Sequence, residues 1–99
     1  MTLQLDLAGK AALVTGSSRG IGRAIAQVLY AEGCRVVLNA RSAADLDRAR
    51  AEMPGASFVA GDVTNPEEAR RIVAETVATL GGLDVLVNNV GSGRSVPPG

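Results

Sequence analysis

Histidine and tryptophan are absent from this 99-residue chain, which holds one cysteine, one tyrosine, one phenylalanine and one lysine, Lys10. Each scarcity excludes something. Without histidine, the commonest metal-binding imidazole and the commonest general base are both missing. The lone Cys34 forbids an internal disulfide and supplies no thiol pair for redox or metal chemistry. It opens an apolar run and is expected to be a small buried hydrophobe rather than a nucleophile. With so few aromatics, Ala, Val, Leu and Ile must fill the core. Ten basic and ten acidic residues cancel without clustering, which leaves no electrostatic footprint for nucleic acid or a membrane surface. No basic start leads into a long apolar stretch, so no signal peptide or membrane span is visible and a cytoplasmic protein is expected.

What the chain does contain is a regular alternation of apolar runs and helical patterns. The first strand is expected at Ala11–Val14, followed by helical spacing at Ile21, Ala24, Ile25, Val28 and Leu29 that stops at Gly33. Arg35–Asn39 reads as the second strand. Ser42 caps the next helix, with Leu46, Ala49 and Met53 on one face and Pro54-Gly55 ending it. Ser57–Ala60 is a third strand. Asn65-Pro66-Glu67-Glu68 then offers an N-cap, a proline at the first helical position and acids in the first turn. Ala69, Ile72, Val73, Val77 and Leu80 form that helix's expected buried stripe, with Glu67 and Arg71 paired on its wet side. Gly81-Gly82 breaks the helix before a fourth strand at Leu83–Val87, and a Gly/Ser/Pro stretch closes the sequence. Four strands separated by three helices predict an α/β architecture with right-handed crossovers and a parallel sheet. In the doubly wound order, 3-2-1-4, ligands bind in the crevice where strand four meets strand one.

Between the first strand and the first helix lies Thr15-Gly16-Ser17-Ser18-Arg19-Gly20-Ile21-Gly22. Glycines at a strand-to-helix turn allow backbone N–H groups to approach a phosphate, with the positive end of the helix behind them. Gly16 suits the tight turn, Gly20 close approach of a pyrophosphate, and Gly22 helix–strand contact. This is a dinucleotide-binding signature in its proper context. A P-loop is excluded, because no Gly-Lys-Ser/Thr follows.

The second strand ends in Asn39-Ala40-Arg41-Ser42 rather than an acid. An acid there accepts the ribose hydroxyls and repels a 2′-phosphate, whereas a guanidinium offers a fork of donors to that phosphate. Arg41, with Arg19 approaching from the glycine turn, therefore favours NADP over NAD. Asp62 and Val63 follow the third strand; alone, they read as an acidic turn, and Asp62 also suits the adenine amino group. Asn88-Asn89-Val90-Gly91 falls at the crevice mouth, where amide side chains tie strands together or simply make a turn.

Taken together, Thr15-Gly16-x-x-x-Gly20-x-Gly22, Asp62-Val63 and Asn88-Asn89-Val90-Gly91 resemble the short-chain dehydrogenase/reductase family in order and spacing, from about Lys10 to Gly91. The resemblance implies a partial Rossmann-type doubly wound sheet and hydride transfer between a nicotinamide and a carbonyl or alcohol. It implies phosphate-loop contacts at Gly16, Ser18, Arg19, Gly20, Ile21 and Gly22, and a 2′-phosphate site at Arg41 and Ser42. It further implies adenine contacts at Asp62 and Val63, and ribose contacts at Asn89, Val90 and Gly91. Val90 stands where the family usually has alanine.

The family's proton donor is a tyrosine with a lysine four residues later, supported by a serine. Here the only tyrosine, Tyr30, is followed at four residues by Cys34, and Ser92 and Ser95 come too early. No catalytic residue is assigned. Residues 1–99 are expected to be the N-terminal part of one dinucleotide-binding domain, without its catalytic remainder. The alternatives are a non-catalytic nucleotide-binding or interaction module, and a truncated product without activity of its own. A small-molecule substrate and homo-oligomers are implied for the complete protein. The outer edge of the fourth strand, with nothing to cover it, is expected to make the 99-residue polypeptide poorly soluble or oligomeric.

Overall fold

Three helical crossovers force the four strands of this chain into one parallel sheet, because strands that run the same way cannot be joined by tight turns. The computed structural model describes residues 6–89. The elements follow in the order β1 (Ala11–Val14), α1 (Gly20–Ala31), β2 (Arg35–Ala40), α2 (Ala43–Arg50), β3 (Ser57–Ala60), α3 (Pro66–Leu80) and β4 (Val85–Val87). The sheet order is β3-β2-β1-β4, as expected. Register places Leu13 beside Val37 and Leu86, and Leu38 beside Phe58.

Handedness then decides which face each helix covers. The steps from β1 to β2 and from β2 to β3 move one way across the sheet, and the step from β3 to β4 moves back. Right-handed crossovers therefore put α1 and α2 on one face and α3 on the other. The core is divided accordingly. Ala12, Val14, Val36 and Leu38 pack with Ala26, Leu46, Ala49 and Met53 on the first face, and Leu13, Val37 and Val59 pack with Ile72 on the second. Ile72 is fully buried, and a side chain of that size contributes about 1.5–3 kcal/mol when removed from water.

Local signals set the helix ends. Ser42 Oγ accepts the Asp45 N–H at 3.1 Å, and Asn65 Oδ1 accepts the N–H groups of Glu67 and Glu68 at 2.9 and 3.2 Å. Gly81 closes α3 in the left-handed region, φ +82°. Cys34 is buried, and burial raises its thiol pKa, which agrees with an inert core residue.

Some expectations need correction. β2 runs one residue further, to Ala40, and β4 is only three residues long. Met53 is buried, but in the turn after α2 rather than within the helix. Arg71 pairs with Glu75 at 2.9 Å and lies 3.8 Å from Glu68, not on Glu67. The expected stripes of α1 and α3 are only partly buried. Gly22 and Ala26 are the residues α1 buries, whereas Ile21 and Val28 are exposed. On α3, Thr76 is buried beside Ile72, while Val73 and Val77 face solvent. Thr76 is tolerated because its hydroxyl donates back to the Ile72 carbonyl at 2.7 Å.

Candidate functional site

Every strand of the sheet ends on the same side, so the four loops after β1, β2, β3 and β4 gather along one edge. β1 and β4 are neighbours whose connections leave in opposite directions, which makes the junction between them the switch point.

Thr15, nearly fully buried, closes that junction. Its N–H donates to Val87 O at 2.9 Å, and its hydroxyl lies 3.1 Å from Asn88 Oδ1 and 3.4 Å from Val87 O. The same hydroxyl oxygen accepts the Asn89 N–H at 2.9 Å. Asn89 Nδ2 reaches the Gly16 carbonyl at 3.3 Å. The paired asparagines thus tie β4 to the glycine turn. A Cβ on Gly16 would collide with the Asn89 carbonyl oxygen, and Gly16 also adopts φ +61°. A Cβ on Gly22 would fall on the Gly16 carbonyl oxygen and within 2.6 Å of Asn89 Nδ2. Gly22 therefore lets α1 rest on the turn and on Asn89, a closer statement than general helix–strand contact.

Gly20 differs from both. It has φ +64° and open space where a Cβ would stand. It opens α1, which has no side-chain cap and no acid in its first turn, unlike α2 and α3. Open backbone donors with the positive helix end behind them fit a bound phosphate.

Ser17 and Asn39 form a buried pair behind this surface. Ser17 Oγ lies 2.7 Å from Val14 O and accepts the Asn39 N–H at 2.9 Å, while Ser17 N–H donates to Asn39 O at 2.9 Å. Asn39 Nδ2 donates to Val59 O at 2.9 Å and to Gly61 O at 3.3 Å. The Asn39 side chain is thus spent within the sheet. Arg41 and Ser42 stand beyond it, and the Ser42 hydroxyl oxygen is the cap of α2. Among the described residues, neither Arg19 nor Arg41 has an ion-pair partner within 4.0 Å.

In the loop after β3, Asp62 Oδ1 accepts both the amide and the hydroxyl of Thr64, at 2.9 and 2.5 Å. These bonds hold the Asp62 carboxyl below its usual pKa, with a smaller contribution from the charge of Arg41. Val63 packs against the core face that holds Ile72. Gly16, Ser18, Arg19, Gly20, Ile21, Gly22, Arg41, Ser42, Asp62, Val63 and Asn89 thus all lie at the strand-end edge. Val90 and Gly91 lie outside the described residues. Residue types alone did not single out Ser17, Asn39 or Thr64 as supports. Asp62-x-Thr64 is a turn pattern in which the acid caps its own loop, and that signal was available.

A family model described as short chain dehydrogenase matches residues 10–98. The chain belongs to this family. Among curated short chain dehydrogenase relatives, it is 53% identical over 87 residues to the ketoacyl reductase 2 assigned to the granaticin polyketide synthase of Streptomyces violaceoruber, covering 87% of this chain and 35% of that protein. It is 43% identical to the glucose 1-dehydrogenase of Gluconobacter oxydans, over 85% of this chain and 34% of that protein. The chain therefore spans about a third of the length of these relatives. A solved structure of the glucose dehydrogenase of Caenorhabditis elegans superposes with a TM-score of 0.81 at 36% identity, over 88% of this chain and 40% of that one. Membership in the short chain dehydrogenase family implies a nicotinamide cofactor. Among the described residues, no helix is long and apolar enough to cross a membrane.

Proposed function

We propose that this chain supplies the cofactor-binding part of an NADP(H)-dependent oxidoreductase that interconverts a carbonyl and an alcohol. The observation that carries the reading is the β1–β4 switch point, where an uncapped helix start, an open Gly20 and the Thr15–Asn89 tie meet. The pyrophosphate would lie over Gly20 and the first turn of α1, contacting Gly16, Ser18, Arg19, Ile21 and Gly22. Asp62 and Val63 would receive the adenine, and Asn89, Val90 and Gly91 the adjoining ribose. Arg41, Ser42 and Arg19 would hold the 2′-phosphate. The lack of an ion-pair partner on either arginine among the described residues supports NADP over NAD.

The nicotinamide supplies the hydride when bound. This chain's own residues bind and orient the nucleotide, and none of them is assigned to proton transfer. Tyr30 donates its hydroxyl to Pro54 O at 2.5 Å, late in α1 and away from the strand-end edge. The substrate is a small molecule, and dehydrogenases and reductases among the relatives support the carbonyl–alcohol class. Assembly into homo-oligomers belongs to the same proposal.

The test is titration of Arg41→Ala with both cofactors. Loss of a charge-assisted contact to the 2′-phosphate should weaken NADPH by about tenfold or more while changing NADH little. Equal losses for the two cofactors would remove the preference for NADP.

A further inference from the structure

The loop after β3 is gripped from outside by two side chains that would not touch the nucleotide. From α3, Glu68 Oε1 accepts the Asp62 N–H at 2.8 Å. Arg71 Nη2 donates to Ala60 O at 2.8 Å and lies 3.8 Å from that same Glu68 oxygen, while Arg71 Nη1 is anchored on Glu75 at 2.9 Å. The two side chains pass across Gly61. A Cβ there would collide with Arg71 Nη2 and come within 3.2 Å of Glu68 Oε1, so the strap lies in the space a side chain at residue 61 would take. From inside the sheet, Asn39 Nδ2 holds the carbonyls of Val59 and Gly61.

The consequence falls on the Asp62 carboxylate. Oδ1 takes two donors from Thr64, and among the described residues no hydrogen bond reaches Oδ2. With its N–H fixed by Glu68 and one oxygen fixed by Thr64, Asp62 has little freedom left. Its second oxygen keeps its acceptor capacity for a donor from outside. The arrangement brings two carboxylates into one loop, which is unfavourable unless cations offset them. Arg71 does so for Glu68, and the charge of Arg41 acts on Asp62.

We propose that Glu68, braced by Arg71, is the positioning residue that aims Asp62 at the exocyclic amino group of the adenine base. The inference rests on the dinucleotide reading above. Glu68 acts through Asp62, so its removal should affect discrimination between bases more than general nucleotide binding. Preorganisation of this kind lowers the ordering cost when the base arrives.

The experiment compares NADPH with its hypoxanthine analogue, in which a carbonyl replaces the amino group. Wild type should bind NADPH about tenfold more tightly than the analogue, the scale of one hydrogen bond to a charged acceptor. Glu68→Ala should weaken NADPH about fivefold and the analogue less than about twofold, so the ratio falls toward one. Glu68→Gln keeps an oxygen acceptor for the Asp62 N–H and should restore most of the ratio. Equal weakening of both nucleotides in Glu68→Ala, or no rescue by glutamine, overturns the inference. If wild type binds both nucleotides alike, the inference fails and the cofactor reading stands. If wild type binds neither, both fall. Amide exchange in the nucleotide-free chain tests the strap without any variant. The Asp62 amide should exchange as slowly as the amides of β3, and free exchange there also overturns the inference.

Discussion

Gly22→Ala isolates the contact on which the glycine turn depends. Gly22 lies inside α1 with helical backbone geometry, so nothing in its φ favours glycine. On helix propensity alone, alanine should stabilise the chain by about 1 kcal/mol. Packing opposes this. The new Cβ would overlap the Gly16 carbonyl oxygen, approach the Gly16 carbonyl carbon to 2.8 Å and Asn89 Nδ2 to 2.6 Å, where real Cβ contacts essentially never fall below 3.0 Å. Two of those atoms are backbone, and Gly16 is itself pinned against Asn89. The helix start must therefore lift off the turn by about 1 Å. Overpacking costs about 1–3 kcal/mol, and more where backbone must move. Because backbone must move here, the penalty falls at the upper end, about 2–3 kcal/mol, and subtracting the propensity gain of about 1 kcal/mol leaves a net loss of about 1–2 kcal/mol in urea unfolding. NADPH affinity should fall by at least about tenfold, because the displaced amides are those aimed at the phosphate. Gly20→Ala is the control for stability alone: within the chain it meets open space and incurs only left-handed backbone strain, about 1 kcal/mol. A Gly22→Ala chain as stable as wild type, with unchanged NADPH binding, would refute the reasoning.

Three further expectations follow from the same contacts. Asn39→Ala leaves the Val59 and Gly61 carbonyls without their side-chain donor in a buried position, and should cost about 1–3 kcal/mol in urea unfolding; a change under about 0.5 kcal/mol counts against the network. Thr64 lowers the Asp62 pKa in the folded chain. The associated stability is therefore present above the ordinary value of 3.8 and is lost as pH falls below it through the folded value. Thr64→Val should move the Asp62 titration, followed by NMR, upward; an unmoved titration would remove Thr64 as the cause. Finally, Val28→Lys combined with Leu86→Lys should reduce self-association of the 99-residue polypeptide in analytical ultracentrifugation. A wild-type chain that runs as a stable monomer would contradict that expectation.

The exposed residues behind that last experiment also show where sequence periodicity succeeds and where it misleads. Arg23 and Gln27 turn one flank of α1 toward Glu52 in the turn after α2. Ile21 and Val28, seven residues apart on another flank of the helix, are exposed. On α3, Glu68 and Arg71 face the loop after β3, while Val73 and Val77, on another flank, are exposed. Leu86, on β4 itself, is exposed as well. A helical repeat records every apolar face a sequence carries, covered or not, and so includes Ile21, Val28, Val73 and Val77 in the expected stripes. The caps at Ser42 and Asn65 and the left-handed Gly81 were legible because each depends on neighbours within a few residues. Asn39 was legible only as a neutral strand end. Its bonds to Val59 and Gly61 depend on the register of β2 against β3, which no local pattern encodes.

Those bonds explain how the candidate site can be held in place although most of it is built from loops. Thr15 joins the ends of β1 and β4, Ser17 joins the glycine turn to β2, Asn39 joins β2 to β3, and Glu68 joins the β3 loop to α3. Thr15, Ser17 and Asn39 are buried and engaged by another part of the chain, and Glu68 grips the β3 loop from the surface. The groups directed outward are different: the first turn of α1 has no side-chain cap, Arg19 and Arg41 have no ion-pair partner among the described residues, and Asp62 keeps one carboxylate oxygen. These tethers therefore fix the positions from which several unsatisfied groups face the same crevice. Removing one inward bond should loosen more than the loop that carries it. Asn39→Ala removes a side chain that bonds only the β3 end and its loop and leaves the backbone bonds to Ser17 in place; it should then weaken NADPH as well as the fold, and Ser17→Ala should do the same from the opposite end of the pair.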